Sequence, residues 1–183
     1  NAMGSNKNAV FSHWLNNHSK GMMLDTEFNP KLANYIAKVT DPLPSIDAQF
    51  NHYNCRNNQL LLAAYQQIQT TVENAIAECK PNRIAIVLGT STSGIANGEE
   101  ALAYYFKEGA APDNYHFKQQ DIGTVSHFLA AYTGITGPCL TISTACSSSG
   151  NAFNTARRLL ALDLCDVAIV GGADSLCKMT VQG

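Results

Sequence analysis

Residues 84–88 read Ile-Ala-Ile-Val-Leu, an apolar run with no alternation. A strand with one wet face alternates apolar and polar side chains. A strand that does not alternate is covered on both faces, as in a parallel sheet held between helical layers. Residues 166–170 become such a run after Asp166 and end at Gly171 and Gly172. Between the two runs, residues 139–144 read as a third strand and residues 147–162 as an amphipathic helix. The helix is expected to turn Ala152, Phe153, Ala156, Leu159 and Leu160 inward. Strand, helix and strand over about thirty residues form a βαβ unit, with a right-handed crossover expected. The fold class is therefore α/β, a mainly parallel sheet flanked by helices.

Upstream, Leu61, Tyr65, Ile68, Val72, Ile76 and Cys79 recur at helical spacing. They predict one long amphipathic helix over residues 58–79, capped by Asn57 or Asn58 and stopped by Pro81. A helix ending before Gly109 is expected to carry Glu99 and Glu100 in its first turn. Another is expected over residues 119–133, with Ile122, Val125, Leu129 and Tyr132 on one face and Gly134 as its stop. Residues 3–56 are polar and interrupted by Pro30, Pro42 and Pro44. They predict a short helix over residues 9–15 and otherwise irregular structure. Asn1 and Ala2, ahead of Met3, read as the remnant of an expression tag.

Composition narrows the function. The 183 residues are 45% hydrophobic, as a folded domain requires, which excludes wholesale disorder. The formal net charge is -2 and no Lys/Arg block stands out, which argues against nucleic-acid binding through the overall field. No apolar run approaches the ~18 residues of a membrane span. None of the 6 cysteines forms a C-x-x-C pair, so no zinc site, and no other metal or cofactor, is expected. They read as the reduced thiols of a cytoplasmic protein, one of which is free to act as a nucleophile.

The candidate nucleophile lies in Thr144-Ala145-Cys146-Ser147-Ser148-Ser149-Gly150. Cys146 is placed where a buried strand turns into a helix. Helix N-termini present unpaired backbone N–H groups and partial positive charge, a setting that favours the thiolate. The backbone N–H of Cys146 can also face an oxyanion formed during acyl transfer. The alternative from position alone is a buried cysteine packed as a small hydrophobe. The other five cysteines are left with that role.

Residues 142–149, followed by Asp-Val-Ala-Ile-Val-Gly-Gly-Ala-Asp-Ser at 166–175, resemble the active-site region of the β-ketoacyl-[acyl-carrier-protein] synthases. The T-A-C-S-S-S form also resembles polyketide ketosynthases, and residues 83–95 are similar to the strand and loop upstream in that family. The resemblance implies a thiolase-like fold and Cys146 as the residue that takes the acyl chain as a thioester. It implies fatty acid or polyketide and polyene synthesis, with acyl carrier protein and acyl and malonyl thioesters as partners. It also implies a homodimer paired through residues 139–144, and it puts Arg56 where ketosynthases carry basic residues that meet the acidic carrier. Family members are about twice as long, in two related halves, so residues 3–183 are read as the N-terminal domain, lacking the first strand. The two histidines that assist malonyl decarboxylation, and the second oxyanion donor, are expected in the other half.

None of His13, His18, His52, His116 or His127 sits in a matching motif. A non-catalytic ketosynthase-like partner is the alternative function, but decoy subunits of the family lose the cysteine that is present here. A starter-unit synthase or degradative thiolase would carry a different cysteine motif. Residues 89–94 have phosphate-loop spacing, but Ile95 stands where the lysine belongs, so a tight turn is the better reading. Neither that loop nor the serine run fits G-x-S-x-G. Arg157 and Arg158 read as a solvated helix edge.

Overall fold

The computed structural model describes residues 1–16 and 21–182. Within them the chain forms two compact units. One comprises Asn1–Leu43 with the last residues from Leu176, and the other is Pro44–Ser175.

The larger unit is built on β3 (Ile84–Gly89), buried at every position. On one side of it lies β4 (Cys139–Ile142) and on the other β5 (Val167–Gly172), both parallel to it. The register is Gly89 opposite Ile142 and Gly89 opposite Gly172, so the three carboxyl ends lie level. Two-residue periodicity splits the β3 side chains between two cores. Ile84, Ile86 and Leu88 join Leu61, Leu62 and Tyr65 of α2 (Arg56–Gln66), Val72 of α3 (Gln69–Glu78), and Val125, Phe128 and Leu129 of α5 (Thr124–Thr133). Ala85 and Val87 meet Ala152 and Ala156 of α6 (Ser148–Ala161). Both faces of β3 are thus covered, as its lack of alternation requires.

Several boundaries differ from expectation. The helix expected over 58–79 is two helices. The N–H groups of Gln67 and Ile68 bond three residues back, to Ala64 and Tyr65 (3.2 and 2.9 Å), and Ile68 leaves the helical region. The β-branched Ile68, Thr70, Thr71 and Val72 crowd that turn, which weakens helix there. Cys55 occupies the N-cap position. Asn57 and Asn58 are not caps; they lie inside the first turn, fully buried. Asn58 Nδ2 donates to the Tyr53 carbonyl (2.8 Å) and Thr124 Oγ1 (3.2 Å).

The helix α4 (Ile95–Glu108) starts a turn before Glu99 and ends at Gly109, whose φ of 77° only glycine adopts freely. α5 begins at Thr124 rather than 119. Gln119 closes a separate 3-10 turn, held there by bonds to His116, Asn54 and Asn114. In α6, Ala152 and Ala156 are buried, whereas Phe153 and Leu160 are exposed. The small residues face the sheet, and Phe153, about 100° further round, cannot.

In the smaller unit, α1 (Lys7–Leu15) is capped by Asn6, whose side chain accepts from the Ala9 N–H (3.0 Å). A two-stranded antiparallel ribbon of β1 (Met22–Asp25) and β2 (Asn34–Ala37) replaces the expected irregular chain. Its strands are four residues each, too short for a readable period. A final helix, α7 (Lys178–Gln182), follows. No helix among the described residues is long and apolar enough to cross a membrane.

Candidate active site

Ligands of open parallel sheets bind beyond the carboxyl ends of the strands. Cys146 lies at that end. β4 stops at Ile142, and Ala145–Ser147 form a single 3-10 turn that leads into α6. Cys146 is exposed in this turn. It sits one turn ahead of the α-helix proper, and N–H groups at the start of a helical segment lack acceptors within it.

Two glycines let the start of α6 sit directly on the sheet. A Cβ on Gly89 would lie 2.5 Å from the Ser149 nitrogen and 2.6 Å from the Ser148 carbonyl carbon. A Cβ on Gly172 would lie 2.2 Å from Ser149 Oγ and 2.6 Å from the Gly89 oxygen. The Thr90 N–H closes the corner by donating to the Ile142 carbonyl (3.0 Å).

The turn itself is bracketed by side chains. Ser148, 2% exposed, accepts from the Thr144 N–H (2.9 Å) and donates to the Ala145 carbonyl (2.6 Å). Ser147 Oγ donates to the Thr144 carbonyl (2.7 Å), and Asn151 Nδ2 to Thr144 Oγ1 (2.9 Å). Ala145 has φ 51°, in the left-handed region that costs a residue bearing Cβ about 1–2 kcal/mol.

The loop after β3 is organised by Asp174, just past β5. Its Oδ1 accepts from the Ser91 and Thr92 N–H groups (2.7 and 3.1 Å). It also accepts from the hydroxyls of Thr90 (3.1 Å), Ser91 (3.2 Å) and Thr92 (3.1 Å). Ser175 adds its N–H to Thr92 Oγ1 (3.0 Å) and its hydroxyl to the Ser93 carbonyl (3.2 Å). Sequence reasoning passed over Asp174 and Ser148. Gly89 and the Gly171-Gly172 pair, at the ends of apolar strands, were the available signal that another segment comes close there.

The remaining thiols are in different surroundings. Burial pushes the Cys55, Cys139 and Cys165 thiols up from their ordinary pKa, which favours the protonated form. Cys177 is buried and Cys79 is partly so. Arg56, the first residue of α2, lines a cleft of about 310 Å³ with Asn51, Asn54, Asn97, Glu100 and Asn114. None of residues 144–151 lines that cleft. His116 caps the 3-10 turn ending at Gln119, and the His52 ring lies 5.9 Å from it. His127 is exposed on α5, His13 bonds the Met3 carbonyl, and His18 lies outside the described residues. No group of three or more His, Cys, Asp or Glu residues able to hold a metal ion occurs among the described residues.

The model of the beta-ketoacyl synthase N-terminal domain matches residues 20–183. The chain belongs to the beta-ketoacyl synthase family. Over 100% of its length it superposes on 47% of a chain in the complex of the ketosynthase ApeO with its chain length factor ApeC from Xenorhabdus doucetiae. The TM-score is 0.94 and the sequence identity 39%. A beta-ketoacyl synthase from Burkholderia phymatum matches over 98% of this chain and 46% of its own, with TM-score 0.79 and 16% identity, a likeness of fold alone. The bikaverin polyketide synthase of Gibberella fujikuroi is 32% identical over 118 residues, 62% of this chain and 5% of that protein. This beta-ketoacyl synthase chain therefore spans about half the length of the solved ketosynthase chains and a small part of the curated polyketide synthases it matches. The thiolase-like fold and the parallel sheet flanked by helices agree with the reading of the sequence.

Proposed function

We propose that this chain carries the nucleophile of a carrier-dependent condensing enzyme in fatty acid or polyketide synthesis. Cys146 Sγ, as thiolate, attacks the carbonyl of an acyl thioester. The tetrahedral oxyanion accepts from the Cys146 N–H, the carrier thiolate departs, and acyl-Cys146 remains. A malonyl thioester then loses carbon dioxide. Its carbanion attacks the acyl-Cys146 carbonyl, the new carbon–carbon bond forms, and the Cys146 thiolate leaves. Splitting one hard step into two is the gain of covalent catalysis.

The observation that carries this reading is the exposure of Cys146 on a bracketed turn at the carboxyl end of a parallel sheet. An acyl carrier protein delivers both thioesters, with Arg56 as a docking cation. A second subunit of the same kind pairs along β4. The Xenorhabdus doucetiae ketosynthase is held by a chain length factor, which makes a non-identical partner the other form of that pairing. The setting is the cytoplasm.

The decarboxylation step needs donors aimed at the developing thioester oxyanion, each worth roughly 3–4 kcal/mol. Acyl and malonyl carrier proteins should be supplied to this chain and to a version extended by the other half with both histidines. Condensation is expected from the extended version and none above background from the 183-residue chain. Equal carbon–carbon bond formation by both would contradict this division of labour.

A further inference from the structure

We propose that Ser148 is a positioning residue for Cys146, and this rests on the reading of Cys146 as the nucleophile. Ser148 is 2% exposed and two residues from Cys146. Its hydroxyl makes two bonds, and both go to the backbone on the near side of the cysteine: the Thr144 N–H (2.9 Å) and the Ala145 carbonyl (2.6 Å). Those two groups bracket the Thr144-Ala145 pair, in which Ala145 has a φ of 51°. Ala145 has a Cβ and resists that conformation, so something must hold it there. A buried hydroxyl tied to the peptide groups at the two ends of the Thr144-Ala145 pair can do so. The conformation of Ala145 in turn sets the direction of the next residue, Cys146. Ser148 is itself fixed, because the start of α6 is pressed onto Gly89 and Gly172. The chain of cause therefore runs from two strand-end glycines, to Ser148, to the left-handed Ala145, to the aim of the thiol and its N–H. Without the hydroxyl, the Thr144 N–H loses this partner and the Ala145 carbonyl keeps the Ser148 backbone N–H, so the tether across the Thr144-Ala145 pair is gone and Ala145 can relax.

The test measures the rate at which iodoacetamide labels Cys146 at neutral pH, read by peptide mass spectrometry. The full chain is used, and folding is checked by circular dichroism. Ser148→Ala should slow labelling about tenfold, in line with the cost of misplacing a reacting group. Ser148→Thr, which keeps the hydroxyl, should stay within about threefold of wild type. The deciding variant is Ser148→Ala combined with Ala145→Gly. Glycine adopts the left-handed conformation without help. The double variant should therefore recover at least half of the lost rate on a logarithmic scale, whatever its thermal midpoint does. A wild-type labelling rate in folded Ser148→Ala overturns the proposal, and so does a double variant no faster than Ser148→Ala. If Ser148→Ala does not fold, hydrogen exchange on the wild-type chain decides. The Thr144 amide, on an exposed residue, should exchange at least about tenfold more slowly than an unprotected amide, and free exchange overturns the proposal. Alkylation needs no acyl donor, so failure of acyl transfer to Cys146 would count against the proposed function and leave this result readable by itself.

Discussion

A thiol attacks as its thiolate and must be reachable by its substrate. Cys55, Cys139 and Cys165 fail on the first count, since burial pushes each toward the protonated form, and Cys55 and Cys165 are also inaccessible. Cys146 is exposed. Alkylation of the folded chain at neutral pH, followed by peptide mapping, should label Cys146 first and at least about tenfold faster than Cys55 or Cys165. Faster labelling of either buried thiol would remove the basis for the assignment. The placement of Cys146 on a turn between strand and helix was legible in the sequence because strand, cysteine and helix start are contiguous there. The Asp174 clamp was not. Its partners Thr90, Ser91 and Thr92 lie 82–84 residues away along the chain, and local pattern carries no information about such a pairing. Asn57 and Asn58 were misread as caps for the same reason. Their side chains serve Thr90, Tyr53 and Thr124, and local sequence cannot show an asparagine turned inward.

Among the elements, the seating of α6 on the sheet is the contact that places the site. Gly172→Ala would drive a methyl group into Ser149 Oγ and the Gly89 carbonyl, of which the second is backbone and cannot swing aside. Overpacking of this kind costs about 1–3 kcal/mol. The expected result is a lowered unfolding midpoint in urea together with slower Cys146 labelling, because the strain falls at the start of the helix that follows the cysteine. Unchanged stability and labelling would show that α6 does not depend on this close approach. The strands and most helices were readable because β3 and β5 lack alternation and the helices keep their stripes. Gly109 and Gly134 were readable as stops because both adopt positive φ, at 77° and 73°. The break at Ile68 was hidden because no glycine or proline marks it. The inward face of α6 was misjudged because Phe153 and Leu160 are apolar yet exposed.

For the molecule as a whole, the amino ends of β3 and β5 are joined by charge. The Arg83 guanidinium bonds the Asp166 carboxylate through Nε (3.0 Å) and Nη2 (2.5 Å), and also reaches the carbonyl of Asp163 (2.8 Å). The Arg83 hydrogen bond holds the Asp166 carboxyl below the usual carboxylate range. A pKa lowered by folding means that the folded state binds fewer protons there. The stabilisation is complete above the ordinary Asp pKa of about 3.9 and is lost as pH falls through the depressed folded value. Asp166→Asn should therefore be less stable than wild type near neutral pH, with the gap closing in strong acid, as read by urea unfolding. A gap that stays constant with pH would exclude this linkage.

The other whole-molecule property concerns the β4 edge. The Pro138 and Ile142 carbonyls face β3, so the alternate peptide groups of Cys139 and Thr141 point away from it. An open strand edge is a template for a second strand. Sedimentation at micromolar concentration is expected to show association of this chain, and a clean monomer would count against pairing through β4.

The central claim is that Cys146 accepts an acyl group from a carrier, and mass spectrometry measures it directly. The folded chain is incubated with an acyl-loaded acyl carrier protein, and the adduct is mapped by peptide. The account predicts a mass increase equal to one acyl group, located on the peptide bearing Cys146, removed by hydroxylamine and absent from Cys146→Ala. An acyl adduct on another residue, or one that persists in Cys146→Ala, would contradict it.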